Sequence, residues 1–378
     1  MANTKERRVE EVTQEIVPNG NGTAAFDATK AKLVGKRKLF TLPQWAVAWI
    51  VLIPALIFIV LFMLYPIINT FLYAFIRDFS YWPGAGTFAL GQFIADATQG
   101  NAQAFFGFEN FAEALNDQVF IHSIRNTAEL VIIEVPLTII VSLLIATFLN
   151  SIKVLKGFYQ TIFFLPYVTN TIALGLVFNI AFSRGSGGLV NILLSKFGVD
   201  PINWLEADRK TINGITTGPA SRFHQAVVIV IYSLWNGIAF KILVFMSGLA
   251  TIDKQYYDAA KIDGSSSFTI WRRITLPLLS PQILYITITS FIGSFKMYTG
   301  VMAVYQGVNA NAHYFGPAST EGISKGEEWI PVVGWIYRYL SLNPTRPGVS
   351  SAASLILLGI IMVITAVQFA VSKKRVHY

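Results

Sequence analysis

Few side chains in this sequence could carry out covalent chemistry. The 378 residues contain no cysteine, which removes thiol nucleophiles, disulfides and cysteine-ligated metals. His122, His224, His313 and His377 are scattered without metal-ligand spacing. No Gly-x-x-x-x-Gly-Lys-Ser/Thr loop is present to cradle phosphates, so the chain supplies no ATPase of that fold. No catalytic residue, metal site or bound cofactor is therefore expected. What remains is hydrogen-bonding chemistry set inside apolar sequence: Asn170, Thr171, Ser233, Asn236, Ser290 and Ser294, with the charged Glu129, Glu134, Lys241 and Lys296. Hydroxyl and amide groups donate and accept alike. Sugars need such two-way partners, whereas an anionic ligand would favour Arg or Lys.

The elements that must position these groups are membrane helices. Hydrophobic residues make up 53% of the chain and charged residues 13%, against about 25% charged in a typical soluble domain. Mean hydropathy is +0.53. Such a chain needs a bilayer as solvent. Six segments have the run of about 20 apolar residues that a span requires, at about 45–75, 126–149, 159–182, 224–250, 280–305 and 351–371. Polar residues near mid-bilayer are costly and mark function. Span three brings Asn170 and Thr171, span four crosses mid-depth around Ser233–Phe240, and span five around Ser290–Met297. The alternative for the hydroxyls is a bond to their own backbone, and for Gly and Ser close helix packing. Trp235 reads as packing.

Residues 1–40 are polar and end in Lys36, Arg37 and Lys38. They lack the apolar stretch of a secretory signal and read as a disordered cytoplasmic tail, leaving 41–378 as the transmembrane domain. Basic residues follow spans two and four (Lys153 and Lys156; Lys254, Lys261, Arg272 and Arg273) and close the chain (Lys373, Lys374 and Arg375). The intervening loops are longer, and the first is acidic, with Asp96, Glu109, Glu113 and Asp117. By the positive-inside rule both termini are expected in the cytoplasm. The formal charge of +8 is thus explained by topology, and no nucleic-acid partner is needed. The first outer loop carries Trp82, Phe105, Phe106, Phe108 and Phe111 and is expected to hold short helices at the membrane surface.

The loop at 255–278 is the informative segment. It reads Tyr256-Tyr257-Asp258-Ala259-Ala260-Lys261-Ile262-Asp263-Gly264-Ser265-Ser266-Ser267-Phe268 and ends in Ile274-Thr275-Leu276-Pro277-Leu278-Leu279. This is a short helix too polar to span. Ala259 and Ala260 give a small surface that another protein could approach closely. Gly264 can take positive φ and end the helix, Ser265 can cap the next, and Pro277 suits the first turn or a kink of the following span.

This segment resembles the signature loop of binding-protein-dependent ABC permeases: Glu-Ala-Ala, three residues, Gly, then a hydrophobic Leu-Pro end. Asp258 stands for the Glu and Ser265 for a frequent Ala. The likeness extends from about residue 45 to 375. It takes in Gly107-Phe108-Glu109-Asn110-Phe111, Asn126-Thr127, Phe164-Leu165-Pro166-Tyr167, Leu234-Trp235-Asn236-Gly237, Ser290-Phe291, Ser294-Phe295-Lys296, Ile336-Tyr337-Arg338 and Ser351-Ala352-Ala353. The chain is similar to the carbohydrate-uptake branch, without the extra periplasmic domain and N-terminal spans of the larger maltose-type subunit.

The resemblance implies an all-α polytopic membrane protein of about six spans, with the type I ABC importer permease fold and a cytoplasmic coupling helix. It implies ATPase coupling through Asp258, Ala259, Ala260, Asp263, Gly264, Leu276 and Pro277. It implies a sugar site at Thr171, Ser233, Asn236, Gly237, Phe240, Ser290, Ser294 and Met297. Ser and Met stand where several family contacts are Asn or aromatic, so the likeness carries the location of the site and not the sugar. The implied partners are a second permease subunit, an ATPase dimer that binds the ATP, an extracellular or periplasmic sugar-binding protein, and the lipid bilayer. Lys296 reads as structural. Lys241, Glu129 and Glu134 read as facing partner subunits or polar cavities. Two rivals stand beside this reading. One is an ATPase-independent secondary transporter using Glu129, Glu134, Lys241 or Lys296 as coupling groups, and the other is a six-span membrane enzyme or scaffold.

Overall fold

The computed structural model describes residues 43–76, 107–152, 154–184, 187–205, 210–212, 215–217, 221–306, 329–343 and 347–372. Outside them lie the 1–40 tail, Trp82, Asp96, Phe105, Phe106, Lys153, His313, Lys373, Lys374, Arg375 and His377. The chain divides into two units, Met1–Tyr65 and Pro66–Tyr378. In the first, α1 (Gln44–Ile59) runs into a π-helical turn at Val60–Leu64. Its apolar side chains, Trp49, Phe58 and Phe62 among them, are uncovered, as suits a helix whose neighbour is lipid. With α2 (Tyr65–Phe75) it makes a 31-residue stretch, Trp45–Phe75, apolar enough to span.

Among the described residues the second unit is helical apart from one short two-stranded antiparallel hairpin, in which β1 (Lys210–Ile212) pairs with β2 (Ile215–Thr217). After α3 (Glu109–Asn116) comes α4 (Gln118–Ser151). Asp117 starts α4 by accepting hydrogen bonds from the Val119 and Phe120 amides at 2.7 and 2.9 Å, the task of an N-cap. The third span is broken. α5 (Lys156–Val168) and α6 (Thr171–Ala181) meet at 97°. Pro166 removes a donor from the last turn of α5, and Asn170 caps α6 by accepting from the Ile172 and Ala173 amides. α7 (Leu189–Ser195) and the hairpin lead to α8 (Arg222–Thr251).

The coupling loop forms α9 (Lys254–Ile262), α10 (Ser267–Ile270), a π turn at Trp271–Thr275 and α11 (Leu276–Leu278). The fifth span is also bent, by 66° before α12 (Ser280–Phe295). It breaks again at Lys296–Tyr298 before α13 (Thr299–Gln306). α14 (Val332–Leu342) and the spanning α15 (Gly348–Ser372) complete the described chain. Among the described residues four helices qualify as spans on their own, and up to six if each bent pair counts as one.

α4 and α8 pack along each other and bury Leu143, Ala146, Leu149, Ile238, Ile242 and Phe245, with Leu279 and Ile286 added from the α12 side. A second core joins α6, α8 and α13 around Tyr232, Val228 and Val304. There Gly175 is required by proximity, because a Cβ at that position would lie 2.4 Å from Ala303 Cβ. A third core joins α3, α4, α14 and α15 around Phe120 and Trp335.

Asn110 fastens the end of α2. Its amide donates to the carbonyls of Tyr73, Ala74 and Ile76 at 3.3, 3.1 and 2.9 Å, groups that the helix end would otherwise leave unsatisfied. A Cβ at Gly348 would come within 2.7 Å of the same amide, so α15 starts against this clamp. Asn110→Ala is expected to destabilise the protein by about 1–3 kcal/mol, the cost of buried acceptors left without a donor. A thermal melt of the detergent-solubilised protein, read by tryptophan fluorescence, checks this, and an unchanged midpoint would remove the clamp from the account.

Candidate functional site

A cavity of about 590 Å³ opens where the broken spans meet α8. All eight residues that the sequence assigned to a ligand site line it: Thr171, Ser233, Asn236, Gly237, Phe240, Ser290, Ser294 and Met297. The two chain breaks supply much of the wall. Thr169 and Thr171 flank the α5–α6 corner, and Lys296, Met297, Tyr298 and Thr299 span the break between α12 and α13. Non-helical backbone at membrane depth is tolerated where it lines such a cavity.

The hydroxyls divide into two groups. Thr289 donates to its own helix, at Tyr285 O, 2.8 Å away, which is the structural use of such a residue. Others reach across helices. Ser233 donates to Met297 Sδ at 3.4 Å, Ser294 to Glu134 Oε1 at 3.3 Å, and the Tyr232 hydroxyl to Thr171 O at 3.2 Å. The second group ties α8 to the segment after α12, α12 to α4, and α8 to α6. Tyr167 and Phe240 stack with centroids 6.2 Å apart at 20°, giving the wall an aromatic patch.

Sequence reasoning missed part of the lining. Lys296, read as structural, lines the cavity, as do Tyr167, Tyr232 and Tyr298. Tyr232 stands beside Ser233 on the same helix, and that adjacency was the available signal. Trp235 is not part of the lining and is 43% exposed. The three charges grouped together from the sequence separate. Glu129 pairs with Arg222 at 2.6 Å and with Arg125 at 2.7 Å, and Arg222 also lies over the Trp329 ring at 4.4 Å. Glu134 and Lys241 stay at the cavity. Among the described residues no group of three or more His, Asp or Glu is placed to hold a metal.

The second candidate site is the loop around α9. Asp253 caps the helix by accepting from the Gln255 amide. At the other end Gly264 has φ of +71°. The Ser265 amide donates to Ala260 O and the Gly264 amide to Lys261 O, both at 3.0 Å, which is the paired closure of a Schellman ending. Ser265 is therefore engaged in closing α9, and Ser266 caps α10 instead, accepting from the Thr269 amide at 3.3 Å. The sequence had assigned that cap to Ser265. Pro277 lies in the first turn of α11, just ahead of the 66° bend, with Leu276 beside it packed in the α4–α8 core.

Tyr257 is hydrogen-bonded to Thr275 through their hydroxyls at 3.2 Å, and Trp271 Nε1 donates to Thr147 of α4 at 3.3 Å. Ala260 is buried, whereas Asp258, Ala259, Asp263 and Gly264 are exposed. Tyr256, Ile262 and Phe268 are also bare, Ile262 at 87% exposure.

Comparison with known proteins agrees with this architecture. Residues 138–377 match the family described as binding-protein-dependent transport system inner membrane component. The arabinooligosaccharides transport system permease protein AraP of Bacillus subtilis (strain 168) is 28% identical over 356 residues, covering 94% of this chain and 97% of that one. The lactose transport system permease protein LacF of Rhizobium radiobacter is 29% identical over 332 residues, covering 86% and 94%. A crystal structure of a bacterial alginate ABC transporter, in complex with an alginate pentasaccharide-bound periplasmic protein, contains a chain of the same fold. Its TM-score is 0.66 at 18% identity, covering 90% of this chain and 98% of that one. A polar cavity between broken spans, a capped helix projecting from the helix bundle and a family match over most of the chain lead to one conclusion: the protein belongs to the binding-protein-dependent transport system inner membrane components, as a multi-pass permease subunit with the type I ABC importer fold.

Proposed function

We propose that this chain is one of two membrane-spanning subunits of an ATP-driven importer for a sugar or related polyol. A second permease completes the pathway, two ATPase copies bind and hydrolyse ATP, and a binding protein outside the cell delivers the ligand. Both termini lie in the cytoplasm, on the side of α9. The observation that carries this reading is the coupling loop. Its helix is capped at both ends, is held to the base of the fifth span through Tyr257 and Thr275, and leaves Tyr256, Ile262 and Phe268 uncovered. A rigid arm of this kind passes the closing movement of an ATPase pair to the spans that line the cavity.

The lining supports a polyhydroxylated ligand. Hydroxyl and amide groups that donate and accept predominate, with an aromatic patch to cover apolar ring faces. The volume lies within the range of small-molecule sites. Relatives named for arabinooligosaccharides, lactose and sn-glycerol-3-phosphate set the range of ligands to try. Of the four groups open to the secondary-transporter rival, Glu129 is held by two arginines and does not line the cavity.

Gentle extraction of the tagged chain from its native membrane is expected to co-purify a phosphate-loop ATPase and a second permease in stoichiometric amounts. A chain that purifies alone and transports without ATP would reverse the reading in favour of the secondary transporter. Gly264→Arg is expected to reduce ATP-driven uptake at least tenfold while the chain still accumulates in the membrane. Nothing lies within 4 Å of a Cβ there, so the change acts through the left-handed backbone, which disfavours any side chain by roughly 1–2 kcal/mol, and through bulk at the docking surface. Asn236→Ala is expected to raise the half-saturating sugar concentration roughly tenfold, the loss of one well-made ligand hydrogen bond. Vesicle uptake measured across ligand concentrations separates these two effects, since the Gly264 change lowers the maximal rate.

A further inference from the structure

The cavity holds one carboxylate, and its geometry is unusual. Glu134 is at the midpoint of α4, 16 residues from Gln118 and 17 from Ser151. Its side chain is 7% exposed. Oε1 accepts from Ser294, whereas Oε2 is buried and has no hydrogen-bond partner among the described residues. Lys241, 9% exposed, lines the same cavity. Its Nζ lies 3.3 Å from Gly237 O. A Cβ on Gly237 would meet that Nζ at 3.0 Å and Thr138 Cγ2 at 3.8 Å. Thr138 is one turn from Glu134 on α4 and donates to the Glu134 carbonyl. The ammonium thus lies towards the stretch of α4 that carries the carboxylate. The two do not close into a direct ion pair.

A pair serving packing alone would be closed and fully hydrogen-bonded, since a buried charged acceptor without a donor is costly. Here a carboxylate that lines the cavity keeps one buried oxygen without a donor, with a cation nearby. Hydroxyl hydrogens form strong bonds to such an acceptor. A sugar with adjacent hydroxyls can give a hydrogen to the carboxylate and offer an oxygen to the ammonium together. An anionic ligand brings like charge beside Glu134, where little water screens it.

We propose that Glu134 and Lys241 form the specificity element of this cavity, the Glu134 carboxylate accepting a ligand hydroxyl and the Lys241 ammonium donating to a neighbouring ligand oxygen. The pair selects a neutral polyhydroxy compound over an anionic one. This assignment rests on the importer reading and adds the charge class of the substrate. Neither residue was among the sugar contacts implied by family resemblance.

The test uses the complete importer, with its own partners, in vesicles. ATP-driven uptake is measured for arabinotriose, lactose and sn-glycerol 3-phosphate in the wild type, Glu134→Gln and Lys241→Met. Wild type is expected to take up a neutral probe in preference to the phosphate. Glu134→Gln leaves the Lys241 and Lys296 ammoniums without a carboxylate at the cavity. It is expected to raise the half-saturating concentration of the neutral sugar about tenfold and to shift the neutral-to-anionic ratio towards the phosphate. Lys241→Met is expected to move that ratio the opposite way. Loss of packing alone would lower uptake of every probe together and leave the ratio unmoved in both variants, which would overturn the assignment. Glu134→Asp keeps the charge and is expected to keep the neutral preference even where the Gln variant assembles poorly, and loss of that preference would also count against the pair. Wild-type uptake of the phosphate alone would overturn the neutral class while leaving the importer reading intact. Uptake of no probe by wild type would overturn both.

Discussion

In hydrocarbon, a backbone amide or carbonyl that leaves its helix must find another partner inside the protein. That constraint governs where this chain is able to bend. At the 97° corner of the third span, the Asn170 side chain takes over the amides of Ile172 and Ala173. The corner is lined with Thr169 and Thr171, and the fifth span breaks opposite it at Lys296–Tyr298. The cavity exists because both spans depart from regular helix at the same place. Its polar lining is the price of that departure as well as its use.

The same economy appears at the cytoplasmic loop. Both ends of α9 are closed by groups close in sequence, Asp253 at one and the Gly264–Ser265 amides at the other. The helix therefore keeps its shape without being packed into the bundle. Tyr257 to Thr275 and Trp271 to Thr147 then connect it to the fifth and second spans. Gly248 brings α8 close to Leu279 and Gln282, since a Cβ there would lie 2.8 Å from the former. Contacts with little slack join the loop to α4, α8 and α12, and those three helices carry most of the cavity wall.

Much of this was legible in the sequence, because hydropathy and motif spacing are local properties. The long helices Gln118–Ser151 and Arg222–Thr251 contain the apolar segments that announced them. Gly264 takes the positive φ that its place after an Ala-rich helix required. The eight ligand-site positions meet at one cavity because resemblance aligned them with a fold in which they already meet. The breaks were less visible. Apolar composition continues across Asn170 and across Lys296–Tyr298, so a hydropathy window sees one span where the backbone makes two helices. Pro166 followed four residues later by a capping Asn was the available signal for the first break. The charged residues were the hardest, because Glu129 and Glu134 differ in sequence only by the Arg125 one turn from the first, and the rest of the difference is what other helices bring to them. Arg222 and Arg125 reach the first, and Ser294 and the cavity reach the second.

The length of α4 bears on how the protein tolerates different lipids. Thirty-four residues at 1.5 Å each make a helix of about 51 Å, some 20 Å longer than a hydrocarbon core of about 30 Å. The Asp117 cap and the Arg125 charge near one end suit the headgroup zone. The apolar run at about 126–149 leaves most of the excess at the N-terminal end, so a thicker or thinner bilayer alters how much of that end of α4 protrudes. The protruding end is where a mismatch in thickness is taken up, and the stretch of α4 that reaches the cavity at Glu134 does not have to move.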